Sequence, residues 1–277
     1  MRTILLLGLS WFLLLCGAAA NAAEPAATAT TTAPRELRVL FVGNSLVYVN
    51  NLPATLRALA DAQATPVRIT TATFAAPGGT VAERWKDGHA AAALRGGTWD
   101  AIVLQERGGL LACMVDAEQR AQGECRASER AHKQFADLAR EHGARTLLLA
   151  TWGPNEAWQL KLDRAIKQLA SRTSADVIPA GSVLRAYAAE HPQTPTFPDK
   201  VHPSLPATLI MAAQLYRAIT GSDAQARDIT IDFPLLPANA LVKADAPMEG
   251  QPQLAGNGKR IVVKADAIAM LLEASKQ

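Results

Sequence analysis

A chain of 277 residues, 49% of them apolar, is long enough to bury one sizeable hydrophobic core, and its net charge of +3 is close to balanced. No run of Lys or Arg interleaves with aromatic residues, so nothing supports a nucleic-acid partner. No His-x-His or His-Glu-x-x-His spacing occurs, and neither a metal nor a cofactor is expected.

Residues 1–23 read as a signal peptide. Arg2 precedes an apolar run from Ile4 to Cys16, and small residues follow from Ala18 to Ala23. The run is too short to span a bilayer unaided, which predicts cleavage, no stable membrane insertion afterwards, and a periplasmic or secreted protein. Lipid attachment at Cys16 is the alternative, disfavoured by the bulky Leu15 before it. Residues 24–36 are mostly Ala, Thr and Pro and predict a flexible linker. The folded domain is expected over 37–221, with 222–277 as a C-terminal extension packed on it.

Strand and helix patterns alternate along the domain. Leu37 to Val42 is a buried strand, and Leu52 to Ala64 follows as a helix with Leu52, Leu56, Leu59 and Ala60 at helical spacing. Val67 to Phe74 is the second strand, Val81 to Leu94 a helix, and Asp100 to Leu104 the third strand. A polar loop then leads to a helix around Ser128 to His142. Arg145 to Thr151 is the fourth strand, Asn155 to Ser171 a helix, and Ala175 to Pro179 a short fifth strand. Pro203 to Thr220 is a helix, and Ile261 to Glu273 a short strand plus a terminal helix. This rhythm predicts an α/β fold: a five-stranded parallel sheet in a three-layer, flavodoxin-like α/β/α sandwich.

After export only Cys113 and Cys125 remain, and in an oxidising compartment they read as one disulfide closing a surface loop. Two unpaired thiols are the alternative.

Ligands in open parallel sheets bind beyond the carboxyl ends of the strands, near the switch in strand order. Four loops meet that rim: Gly43-Asn44-Ser45, Gly78-Gly79-Thr80, Gln105-Glu106-Arg107, and Trp152-Gly153-Pro154-Asn155. A serine at the break from strand to turn holds its hydroxyl out at the sheet edge, but it also serves as an ordinary helix cap. Of the five histidines, His89, His132 and His142 fall on helices expected at the surface, and His191 ends one. Only His202 has a carboxylate three residues upstream in a Pro-rich loop immediately before a helix, Pro198-Asp199-Lys200-Val201-His202-Pro203. Trp85 and Trp158 are expected to pack; Trp152, on the rim, is the better candidate for substrate contact.

The order Gly43-Asn44-Ser45, Gly78-Gly79-Thr80, Asp199-x-x-His202 resembles the SGNH (GDSL-like) hydrolase superfamily from about Leu37 to Thr220. The resemblance implies a serine esterase with Ser45 as nucleophile, His202 as base and Asp199 orienting it. It implies an oxyanion hole from the Ser45 N–H, a glycine after strand two (Gly78, or Gly79 in a shifted register) and an asparagine after strand three. Here the chain departs from the pattern: Gln105-Glu106-Arg107 replaces Gly-x-Asn-Asp, and Asn44 replaces the usual aspartate. Gln105 is the expected third donor, with Arg107 or Asn155 as substitutes. The implied substrate is a small-molecule or carbohydrate ester, with short acyl groups favoured. A lysophospholipase or thioesterase using the same residues, or a catalytically silent carbohydrate-binding or cell-envelope protein, are the alternatives.

Overall fold

The computed structural model describes residues 36–256 and 258–277. The expected signal peptide, and the linker up to residue 35, lie outside the described residues, whereas Glu36 opens the first strand.

The first half of the domain runs β1 (Glu36–Gly43), α1 (Ser45–Tyr48), α2 (Leu52–Asp61), β2 (Arg68–Ala75), α3 (Val81–Asp87), α4 (His89–Gly96) and β3 (Ala101–Leu104). The second half runs α5 (Gly108–Ala112), α6 (Gly123–Glu141), β4 (Arg145–Leu149), α7 (Glu156–Thr173), β5 (Asp176–Ile178), α8 (Ala180–Glu190) and α9 (Leu205–Thr220). The C-terminal part adds β6 (Ile229–Ile231), β7 (Ile261–Val263) and α10 (Ala265–Ala274).

The main sheet is parallel in the order β2-β1-β3-β4-β5, so the chain reverses direction across the sheet after β2 and the switch lies between β1 and β3. Alternate side chains enter opposite layers, as a sheet covered on both faces requires. Leu37, Val39 and Phe41 of β1 join Val103 and Leu147 under α2, α8 and α9. Leu40 and Val42 join Ile102, Leu104 and Leu148 under α3, α4, α6 and α7. Fully buried leucines such as Leu52, Leu56 and Leu59 of α2 each contribute about 1.5–3 kcal/mol through removal from water. The three-layer α/β/α sandwich expected from the sequence is the observed architecture.

Three local differences have physical causes. The helix expected over Val81 to Leu94 is two helices, because Gly88 sits at φ +78° and ends α3 while starting α4. The helix expected from Ser128 begins five residues earlier at Gly123, since Cys125 and Ser128 on its first turns are buried rather than solvated. For helix α8 only the end at His191 was expected, not the start. Its opening Ala180-Gly181 packs tightly against the end of β4, a tertiary contact with no local signal.

Cys113 and Cys125 form a disulfide with Cα atoms 6.0 Å apart. Two further expectations are corrected. His132 is buried on the inner face of α6, where Nδ1 donates to the Ser128 carbonyl at 2.8 Å, so it is not a surface histidine. Trp158 is 41% exposed with Lys161 over its ring, so it is not a packing residue, whereas Trp85 packs edge-on against Phe135.

The segment after α9 lies against the domain. β6 and β7 pair antiparallel, the Tyr48 hydroxyl donates to Ala238 O at 2.7 Å, and Leu236, Val242 and Met248 pack on Tyr48, Val49 and Ala75. Glu249 meets β2, accepting from Thr73 N at 2.8 Å and from the Thr71 and Thr73 hydroxyls at 2.7 Å each. Among the described residues no helix is long and apolar enough to cross a membrane.

Candidate active site

The four rim loops and the Asp199–His202 loop converge at the carboxyl ends of β1 and β3. A cavity of about 340 Å³ there is lined by Ser45, Gly78, Arg107, Trp152, Lys200 and Val201, among others. A larger cavity of about 490 Å³, between α2 and β6, holds none of the candidate residues.

Ser45 is the first residue of α1, and Asn44 caps that helix: its Oδ1 accepts from Leu46 N at 3.0 Å. The Asn44 Nδ2 donates to Gly79 O at 3.0 Å, which joins the serine turn to the glycine turn. Within the glycine turn the two candidates differ. Gly79 is buried and its N–H donates to Ala76 O at 3.0 Å. Gly78 lines the cavity at φ +63°, a backbone conformation that glycine adopts without steric penalty. Among the described residues neither the Gly78 N–H nor the Ser45 N–H has a partner, and both residues face the same cavity.

The histidine loop is held by its own backbone. Lys200 N donates to Phe197 O at 2.9 Å in a tight turn that places Lys200 at φ +70°, in the left-handed region. Asp199 Oδ1 accepts from Val201 N at 3.0 Å and His202 N at 2.7 Å, and Oδ2 accepts from His202 Nδ1 at 2.6 Å. Desolvation pushes this carboxyl up, but the His202 N–H, the His202 ring and the Val201 N–H outweigh it and hold it at about 2. An ionised Asp199 fixes the proton on Nδ1 and leaves Nε2 free to act as a base. The loop is then tied to its neighbours. Trp152 Nε1 donates to Val201 O at 2.7 Å, its ring stacks on Phe197 at 5.2 Å, and Asn50 Nδ2 donates to Pro203 O at 2.7 Å. Asn50 follows directly on the turn that starts at Ser45, so this bond holds His202 to the serine side of the rim. Ser45 Oγ makes no hydrogen bond among the described residues, while His202 Nδ1 is held by Asp199.

The third strand end is arranged differently. Gln105 is buried and absent from the cavity lining. Its Nε2 donates to Glu106 O at 2.6 Å and Thr151 Oγ1 at 3.2 Å, and its Oε1 has no partner among the described residues. Asn155 is occupied as the cap of α7, accepting from Trp158 N at 3.0 Å. Arg107 does line the cavity, and its Nη1 donates to Gly78 O at 3.2 Å.

Glu106, to which sequence reasoning gave no role, is buried beneath this rim. Its carboxylate accepts from Arg107 N at 2.7 Å, Val81 N at 3.1 Å and the Ser128 hydroxyl at 2.8 Å. Burial pushes it up to about 7 against the lowering effect of those three donors. It thereby fixes the Arg107 loop to the start of α3, two residues beyond the glycine turn. Its place beside Gln105 at a strand end was the available signal, but a buried carboxylate is not distinguishable from a solvated one by sequence.

No protein-family model and no curated protein matches this chain. Among solved structures it is similar to a proposed SGNH hydrolase from Slackia heliotrinireducens, at 23% identity and a TM-score of 0.53, covering 66% of this chain and 98% of that one. The chain has the SGNH-hydrolase fold. It is also similar to Axe2, an acetylxylan esterase from Geobacillus stearothermophilus, at 16% identity and a TM-score of 0.52, covering 70% of this chain and 99% of that one. Catalytic mutants of Axe2 replace a serine, an aspartate, and a histidine three positions beyond that aspartate.

Proposed function

We propose that this protein is an exported serine esterase of SGNH type that removes a short acyl group, acetyl foremost, from a carbohydrate. The carrying observation is the 2.6 Å Asp199–His202 pair on a loop bordering the cavity that Ser45 and Gly78 share. Fold and compartment support the reading: Axe2 is an acetylxylan esterase with this architecture, and the N-terminal sequence and the disulfide fit an oxidising compartment.

In this mechanism Ser45 Oγ attacks the ester carbonyl carbon while His202 Nε2 takes the hydroxyl proton. Asp199 stabilises the imidazolium that results. The carbonyl oxygen becomes an oxyanion held by the Ser45 and Gly78 N–H groups. Arg107 supplies positive charge at the third position, the place taken by the amide donor in the family pattern, and braces Gly78 through its carbonyl. Collapse breaks the ester bond, and the sugar alkoxide leaves with the proton from His202. Water then gives a proton to His202 and attacks the acyl-Ser45 carbonyl; collapse frees the carboxylic acid and returns the proton to Ser45.

The test is hydrolysis of 4-nitrophenyl acetate and 4-nitrophenyl octanoate by the purified protein beside Ser45→Ala and His202→Ala. Loss of at least about 10³-fold in both variants is expected, with acetate the better substrate. Retained activity in either variant refutes the assigned roles, and a preference for octanoate favours the lipase-like alternative.

A further inference from the structure

The candidate cavity does not end at Ser45. A second cavity of about 320 Å³ shares Gly153, Pro154 and Lys200 with it, and Phe197 in its wall is the ring on which Trp152 stacks. The two form one groove that leaves Ser45, passes Lys200 and reaches the outward side of α8 at Arg185.

The charges along this groove have one sign. Arg107 lies at the Ser45 end, Lys200 at the junction and Arg185 at the far end, and no carboxylate lines either cavity. Asp199 is beside the junction, but its oxygens are turned to His202 and to the Val201 and His202 N–H groups. None of the three cations forms an ion pair among the described residues, so no protein carboxylate neutralises them in the groove. Lys200 is also presented from a left-handed backbone position, which is costly for any residue with a Cβ. Cations spaced along a groove attract a ligand carrying repeated negative charge, and their effect is screened by salt.

We propose that the groove binds an anionic glycan, with acidic sugars seated at Lys200 and Arg185 while the acyl-bearing sugar lies at Ser45. This deepens the esterase reading and rests on it for the position of the ester. The acid group is a carboxylate or a sulfate; both are planar or tetrahedral oxyanions that these side chains recognise.

The experiment measures binding, so that it stands apart from turnover. The Ser45→Ala protein is titrated calorimetrically at neutral pH and low salt with hexagalacturonate, a sulfated hexasaccharide and xylohexaose. One or both anionic glycans should bind about tenfold more tightly than xylohexaose, with a margin that shrinks as salt rises. The better of the two identifies the acid group. Arg185→Glu alone, at a half-buried position of α8, should reduce that margin several-fold, and combined with Lys200→Asn should abolish it. Equal affinity for charged and neutral glycans, no binding of any of them, or a margin indifferent to these substitutions overturns the proposal. Hydrolysis of 4-nitrophenyl acetate, which has no acidic group, tests the esterase reading separately.

Discussion

Asn44 Nδ2 lies 3.0 Å from Gly79 O, while the same amide's Oδ1 takes the Leu46 N–H, so one buried side chain couples the residue before Ser45 to the residue after Gly78. A carboxylate can make the second bond and not the first. Asn44→Asp should therefore place negative charge against the Gly79 carbonyl and loosen the alignment of the two free N–H groups. The expected loss in kcat/KM on 4-nitrophenyl acetate corresponds to about 1–3 kcal/mol, with kcat affected more than KM. An Asp variant as active as the parent would show that the coupling does not matter for the reaction.

Asp199→Asn tests orientation of the base. The amide presents N–H toward Nδ1 and favours the tautomer with its proton on Nε2, which cannot accept from Ser45. Activity should fall on the order of 10³-fold. Asp199 is half exposed, so thermal stability should change little. A large drop in melting temperature would instead make the loss a folding effect.

Two buried groups act on stability in opposite directions over the same pH range. Glu106 is raised from 4.5 to about 7 by burial, so its contribution is present below about 4.5 and is lost as pH rises through 7. His132 is lowered from 6.5 to about 4 by burial, so its contribution is present above 6.5 and is lost as pH falls toward 4. Each shift is worth about 3 kcal/mol, and between about pH 4.5 and 6.5 the two slopes oppose and largely cancel. Denaturant titrations should find the parent nearly flat there. Glu106→Gln should become more stable with rising pH across that window and His132→Gln less stable, and parallel curves for the three proteins would disprove the assignment.

The disulfide joins residues 12 apart in sequence. Replacing both cysteines with serine should lower the unfolding free energy by about 2–3 kcal/mol, since a loop of this size loses that much chain entropy when closed. Equal stability of parent and variant under non-reducing conditions would show that the bond adds nothing in solution.

Gly181 carries the contact between α8 and the end of β4. A Cβ there would stand 2.2 Å from Thr151 O and 2.6 Å from Gln159 Nε2. Gly181→Ala should destabilise by about 2–3 kcal/mol, because the obstacle includes backbone that cannot rotate away. It should also lower activity, since Thr151 receives the Gln105 amide beneath the rim.

The sheet was legible because its strands are short apolar runs bounded by turn residues, and because Ser45, Gly78 and the Asp199–His202 pair fall at strand ends or before a helix. That geometry follows from sequence order alone. What was not legible depends on burial and on partners far along the chain. Gln105 has the chemistry of an oxyanion donor, yet its amide is taken by Glu106 O and Thr151. His132 sits on a helix whose polar residues suggested a solvated face, and only the packing of α6 against the sheet turns it inward. Helix α8 begins with two small residues whose purpose is visible only when Thr151 lies against them. Trp158 has the size of a core residue but caps the outside of α7's first turn.

Glu249 gives the contacts between β2 and the C-terminal segment a further meaning. β2 is one margin of the sheet, and a strand at a margin offers its unused N–H and C=O groups to any extended chain that drifts past. The carboxylate of Glu249 occupies the Thr73 N–H and both neighbouring hydroxyls, placing negative charge where a foreign strand would have to add. At the opposite margin β5 is only three residues long, too short to template a ladder. Both sides of the sheet are thus guarded against self-association, one by a borrowed acid and the other by brevity.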